Sequence, residues 1–85
     1  MELWSIIWED KMIKEKTAAM IFGNRLKGLM KERGITNAEL ADVFEVSEKV
    51  IERWCEGLSS PNIDNLILVA KLFNVRVDYM LGVID

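Results

Sequence analysis

The fold is decided by residues 36–57, which read TNAELADVFEVSEKVIERWCEG. Thr36 is followed three residues later by Glu39, the pattern of a capping box that satisfies free N–H groups at the start of a helix. Ser47 is a second N-cap residue, and Gly57 ends the helix that follows it. The stretch therefore predicts two short helices joined by a tight turn, which is the helix-turn-helix arrangement.

Apolar residues on either side of this stretch repeat with helical spacing. A first helix is predicted from residue 20 to the glycine at position 34, Asn62 caps a fourth helix, and residues 77–81 form a short fifth helix that ends at Gly82. Strand-like alternation does not persist beyond a few residues anywhere in the sequence. We therefore predict an all-α fold in which residues 20–85 form a five-helix domain.

Residues 1–19 are predicted to form an extra N-terminal amphipathic helix, an arm outside the five-helix domain. Its apolar residues have the spacing of one helical face: Leu3, Trp4, Ile7, Trp8, Met12 and Ile13. A single helix of this length is marginal in water, so we expect it to pack against another surface. That surface is either its own domain or a second copy of the chain, which would make the arm a dimerisation element. Alternatively, Met20 is the true start and the arm is an extension.

The composition excludes most catalytic chemistry. The 85 residues include no histidine and one cysteine, so a Ser-His-Asp triad, a histidine-ligated zinc site and an internal disulfide cannot form. We therefore expect no enzyme activity, no cofactor and no metal. The sequence also lacks the pattern of a signal peptide and an apolar run of about 20 residues, which predicts a cytoplasmic protein without a membrane segment.

Further short motifs are distributed over residues 20–82. They are Arg25-Leu26-Lys27, Gly34-Ile35-Thr36, Ala38-Glu39-Leu40-Ala41, Val46-Ser47, Ile51, Arg53-Trp54, Gly57, Ser60-Pro61 and Val77-Asp78-Tyr79-Met80-Leu81-Gly82. In order and spacing, these motifs resemble the Cro-like and phage-repressor family of helix-turn-helix proteins. The resemblance implies a lambda-repressor-like five-helix domain, usually dimeric, that binds an operator in double-stranded DNA. We therefore interpret the chain as a sequence-specific transcriptional regulator, a repressor that acts as a homodimer.

The second helix of the motif, residues 47–56, is predicted to insert in the major groove of DNA. Ile51 and Trp54 hold its inner face against the domain. The residues that remain on its outer face are Ser47, Glu48, Lys49, Glu52 and Arg53. Asn37 lies at the start of the preceding helix, where free N–H groups can bind a phosphate and where the family usually has glutamine. Arg25 and Lys27 are further candidates for DNA contact.

The charge distribution argues against DNA binding. The net charge is −3, and residues 36–57 contain six acidic side chains and two basic ones. Three glutamates recur at every fourth position of the predicted recognition helix, where they repel phosphate. DNA binding must then depend on Lys49 and Arg53, either of which can read guanine. The alternative function is a protein-interaction module, similar to an antirepressor or antitoxin, that uses its acidic third helix to bind a protein partner.

Two features depart from the family's pattern. Glu45 replaces the glycine that usually precedes the Val-Ser step, and a positive φ costs a non-glycine residue roughly 1 kcal/mol or more. We therefore expect a regularised turn or a longer preceding helix. Met30 and Cys55 occupy positions where the family often pairs an arginine with a glutamate, so both partners have become apolar. This double replacement predicts that Cys55 is a core thiol rather than a redox sensor.

Overall fold

The computed structural model describes residues 17–84, which fold into five α-helices without a β-strand in that range. In chain order the helices are α1 (Ala18–Arg33), α2 (Asn37–Phe44), α3 (Glu48–Cys55), α4 (Ile63–Phe73) and α5 (Val77–Leu81). The predicted all-α, five-helix architecture is confirmed. The predicted arm lies outside the described residues except for its last three positions, because Thr17 caps α1 and the helix begins at Ala18.

Four of the five helices begin with a side-chain cap. In each case the cap oxygen accepts a hydrogen bond from the backbone N–H three residues later; the cap residues are Thr17, Thr36, Ser47 and Asn62. The predicted capping box at α2 has both of its hydrogen bonds, because the Glu39 carboxylate in turn accepts from the Thr36 backbone N–H at 2.9 Å. The hydrogen bonds from Thr36 lower the pKa of Glu39 below its usual value. Each such cap stabilises its helix by about 1 kcal/mol, so the helix starts are fixed locally.

The turn between α2 and α3 is closed by Glu45 in the left-handed region, with φ 56° and ψ 43°. The prediction of a regularised turn or a longer helix is therefore wrong. The Glu45 N–H donates to the Asp42 carbonyl, and the Val46 N–H donates to the Ala41 carbonyl at 3.0 Å. This pair of bonds satisfies the last carbonyls of α2 and requires a left-handed residue between them. Because Val46 also packs against the core, the turn keeps this geometry without a glycine.

We expect the Glu45→Gly substitution to raise the free energy of unfolding by about 1 kcal/mol, because glycine adopts positive φ without the Cβ penalty. Urea denaturation followed by circular dichroism measures this change. Glu45→Gln is the matched control, since it removes the charge but keeps the Cβ. If the two variants gain equal stability, charge repulsion rather than backbone conformation would explain the effect.

The hydrophobic core is formed by residues from all five helices, and α1 contributes the most. The fully buried large side chains of the whole core are Phe22, Leu26, Leu40, Ile51, Val69, Phe73 and Met80. The Trp54 ring completes the core by packing edge-on against Phe22, at 6.4 Å between centroids, and at a tilt against Phe44, at 5.7 Å. The core therefore fixes α3 to both α1 and α2.

Arginines of α1 bind the carboxyl ends of the last two helices. The Arg33 guanidinium donates to the Phe73 carbonyl at 2.8 Å and lies 5.5 Å from the centre of the Phe73 ring. Arg25 donates to the Tyr79 carbonyl and, at 3.0 Å, to the Ile84 carbonyl. Cations are favourable at helix carboxyl ends, where unpaired carbonyls and the helix dipole concentrate negative charge. The two arginines thus attach α4 and α5 to α1.

Candidate nucleic-acid interface

Helix α3 has one buried face and one exposed face. Ile51 and Trp54 are almost completely buried, and Val50 and Cys55 are partly buried. The exposed positions in and just before the helix are Ser47, Glu48, Lys49, Glu52 and Arg53, the same five that the sequence predicts for the outer face. The structure therefore leaves the predicted contact surface of α3 uncovered by the rest of the described domain.

Gly23 allows α1 to approach the carboxyl end of α3 at backbone distance. A Cβ atom added at this position would lie 2.4 Å from the Trp54 carbonyl oxygen and 2.7 Å from that of Cys55. Only glycine fits such an approach, because the neighbouring atoms are backbone and cannot rotate away. Gly23 is not among the residues predicted from the sequence to have a structural or binding role. Its one available signal was a glycine in the interior of a strongly helical pattern, which indicates a packing requirement.

An open groove of about 450 Å³ lies between α1, the start of α2 and α3. Three predicted contact residues, Lys27, Asn37 and Glu52, line it together. Lys31 also lines the groove, one helical turn after Lys27 on α1, although it is not among the contact residues predicted from the sequence. Spacing from Lys27 could have indicated this residue, because side chains four positions apart share a helix face.

The groove carries charges of both signs. Lys27 and Lys31 come from α1, whereas Glu52 and Glu56 come from α3. At the amino end of α2 the first N–H groups have no partner within the helix and can donate to a ligand, although the Glu39 carboxylate that accepts from the Thr36 N–H carries a negative charge at the same end. The α1 and α2 side of the groove is therefore suited to a phosphate, and the α3 side is suited to a hydrogen-bond donor.

Met30 and Cys55 meet in this groove, as their paired replacement predicts. The Cys55 Sγ lies 3.9 Å from the Met30 Sδ, in the geometry of a weak S–H hydrogen bond. Burial raises the pKa of the Cys55 thiol, although the charge of Lys27 acts in the opposite direction. A thiol with a raised pKa is mostly protonated near neutral pH and is a poor nucleophile, which agrees with a packing role.

Arg25 lies apart from the other predicted contact residues. Its guanidinium stacks on the Tyr79 ring, 4.2 Å from the ring centre, and donates to backbone carbonyls of the C-terminal region. These contacts attach α5 to α1, and a DNA contact by Arg25 stays a prediction. By contrast, Lys49 and Arg53 form no salt bridge with any residue in the described range 17–84.

Two structural absences hold for the described residues. None of the helices within residues 17–84 combines the length and the apolar character needed to cross a bilayer. The same stretch contains no group of three or more cysteine and carboxylate side chains placed to bind a metal ion.

The capped helix pair, the tight left-handed turn and the exposed outer face of α3 define a helix-turn-helix domain. The family model described as helix-turn-helix matches residues 26–80. The chain belongs to this family, of the Cro/C1 type, which confirms the resemblance seen in the sequence.

Known proteins similar to this chain include several regulators. The HTH-type transcriptional activator BcrR of Enterococcus faecalis is 32% identical over 63 residues, which cover 74% of this chain and 31% of that protein. The HTH-type transcriptional regulator ImmR of Bacillus subtilis is 30% identical over 63 residues, covering 74% of this chain and 50% of that protein. The chain thus spans about a third to a half of the length of these relatives.

A solved structure with the same fold is that of the SOS-response transcriptional repressor LexA from Eubacterium rectale. It superimposes with a TM-score of 0.70 at 25% identity, over 81% of this chain and 72% of that one.

Proposed function

We propose that this chain is a sequence-specific DNA-binding transcriptional regulator that inserts α3 into the major groove. The observation that carries the proposal is the placement of Lys49 and Arg53. Both side chains are exposed, one helical turn apart, on the face of α3 opposite the buried Ile51 and Trp54. This geometry presents two cations to base edges while the core holds the helix rigidly, as direct readout of guanine requires.

Phosphate contacts would come from the groove beside α3. Lys27 and Lys31 lie on its α1 side, and Asn37 lies at the amino end of α2. Such contacts position the recognition helix without reading sequence. Lys31 therefore joins the predicted contacts Lys27 and Asn37 on the phosphate side, and Ser47, at the amino end of α3, is a further hydroxyl donor.

The acidic residues on α3 have two different roles in this proposal. Glu52 can accept a hydrogen bond from cytosine N4, which gives it a reading role. Glu48 contributes repulsion that lowers the affinity for DNA of any sequence. The chain would therefore bind non-specific DNA weakly and depend on a few base contacts for its affinity.

We further propose that the regulator represses transcription in the cytoplasm as a homodimer on a pseudo-palindromic operator. Two α3 helices related by a two-fold axis would contact half-sites about 34 Å apart, one turn of DNA. Beyond the contacts to DNA and between the two copies, repression needs no further surface, because a bound dimer excludes polymerase from an overlapping promoter by its volume.

The experiment that tests DNA binding is selection of bound sequences from a random pool of double-stranded DNA at low salt. We expect one enriched pseudo-palindrome, and Arg53→Ala should weaken binding to it by roughly 10- to 100-fold, since a good bidentate base contact contributes about 1–3 kcal/mol. Arg76→Ala is the matched control, because it also removes an exposed arginine. Arg76 pairs with Asp78 at the start of α5 and not with the proposed DNA-contacting face, so its loss should leave the affinity for DNA unchanged. Failure to enrich any sequence would contradict the proposal.

The acidic surface favours a second candidate function, a protein-interaction module for a basic protein partner. Charge reversal separates the two functions. Replacing Glu48 and Glu52 with lysine should increase the general affinity for DNA, since it replaces repulsion by attraction. The same change should abolish binding of a basic protein, because like charges would then face each other.

A further inference from the structure

Helix α4 is apolar over most of its circumference. Eight of its eleven residues are apolar, but only Val69, Ala70 and Phe73 are buried in the described domain. Four large side chains stay exposed on it: Ile63, Ile67, Leu68 and Leu72. A helix that is apolar nearly all round is normally covered on more than one side. The exposed part of α4 therefore indicates a missing packing partner.

The exposed residues form two strips that polar side chains separate. At 100° per residue, Ile63 and Ile67 lie on one flank and Leu68 and Leu72 on the other, with Asp64 and Lys71 between them. The flank of Ile63 and Ile67 adjoins Leu66, because residues three and four apart are neighbours on a helix surface. We call this flank, Ile63, Leu66 and Ile67, the α4 strip.

An apolar cleft connects this strip to the point where the chain enters the domain. The cleft has a volume of about 120 Å³ and lies between the first turn of α1 and the start of α4. Its lining residues are Ala18, Ala19, Phe22, Ser60, Pro61, Leu66 and Leu81. The residues before Thr17 therefore join the domain directly beside a mainly apolar cleft that continues into the α4 strip.

Residues 1–16 have the composition that this surface needs. They lie outside the described residues, and Trp4, Trp8 and Met12 recur at every fourth position, which places these three side chains on one face of a predicted helix. Sixteen residues would form a helix of about 24 Å, longer than the roughly 16 Å of α4. Met12 lies only five positions before Thr17, where the chain enters the domain beside the cleft. This short connection would keep Met12 close to the cleft.

We propose that residues 1–16 pack as an amphipathic helix of the same chain against the α4 strip, with their apolar face filling the cleft beside α1. The segment then belongs to the domain's own core instead of joining two copies. This inference does not depend on DNA binding and can fail or hold independently of it.

Limited trypsin digestion of the full chain tests the proposal, because Lys11, Lys14 and Lys16 lie in the segment. Cleavage of a packed helix requires local opening, so the rate follows the population of the open form. We expect the double variant Ile63→Gln with Ile67→Gln to be cleaved at these lysines at least about tenfold faster than the unsubstituted chain. The matched control, Leu68→Gln with Leu72→Gln, alters the other flank and should leave the rate unchanged.

The cleavage rates after Lys31 and Lys49, inside the five-helix domain, are the internal controls. They should stay slow in all variants, which shows that the domain is folded. If the double variant unfolds, Ile63→Gln alone decides, since this side chain is 74% exposed and contributes little to the described core. Equal cleavage rates in the unsubstituted chain and the Ile63 variants would overturn the proposal. Protection that increases with protein concentration would also overturn it, because the arm would then pack on a second copy.

Discussion

The Gly23→Ala variant is expected to lose about 3 kcal/mol or more of folding free energy, the upper end of the cost of overpacking a core. The added Cβ would lie 2.4 Å from the Trp54 carbonyl oxygen and 2.7 Å from that of Cys55. Both atoms belong to the backbone of α3, so α1 and α3 must separate to admit the methyl group. Since small domains are stable by only about 5–15 kcal/mol, this loss is a large fraction of the total.

Gly28 provides a matched control in the same helix. No heavy atom lies within 4 Å of a Cβ built there, and an alanine in an exposed helix interior is more favourable than a glycine by roughly 0.5–1 kcal/mol. Gly28→Ala should therefore raise the midpoint of urea denaturation, whereas Gly23→Ala should lower it sharply. If both variants changed the midpoint in the same direction, the close approach of α1 and α3 would be refuted.

Trp54→Ala should cost about 3–5 kcal/mol of unfolding free energy, the usual range for removal of a buried large aromatic side chain. The Trp54 ring packs between Phe22 of α1 and Phe44 of α2, so its loss opens a cavity where three helices meet. Helix α3 is only eight residues long and depends on this packing, because a helix of this length is unstable alone. DNA binding should therefore be lost together with stability.

The neighbouring Arg53 separates packing from recognition. Arg53→Ala changes an exposed side chain, so it should leave unfolding within about 0.5 kcal/mol of the unsubstituted chain while weakening operator binding. Chemical denaturation and a DNA titration on both variants measure the difference. A Trp54→Ala variant with unchanged stability would show that α3 is held by contacts other than this ring.

Most of the helix boundaries could be predicted from the sequence. Thr36, Ser47 and Asn62 each cap the helix that the sequence assigned to them. The exception is the start of α1, which begins at Ala18 rather than at residue 20 because Thr17 caps it. The family assignment was also available, since its motifs are short and fixed in spacing. These features share one property: each depends on residues within a few positions of one another.

The exposed face of α3 could be predicted for a similar reason. With Ile51 and Trp54 assigned to the core, helical geometry places Lys49 and Arg53 on the opposite side. The groove could not be predicted in the same way, because Lys31 and Glu52 come from different helices. Their proximity depends on how closely α1 approaches α3, which Gly23 permits.

The sequence by itself determined the class of fold, the positions of the caps and the outward residues of α3, because these follow from hydrogen bonds and periodicity over three or four residues. Tertiary structure alone decided the roles of Gly23, Arg25 and Glu45. Arg25 finds its carbonyl partner 54 residues away, where no local pattern can indicate it. Glu45 adopts a left-handed conformation against its own preference, because closure of the turn and burial of Val46 outweigh about 1 kcal/mol of strain.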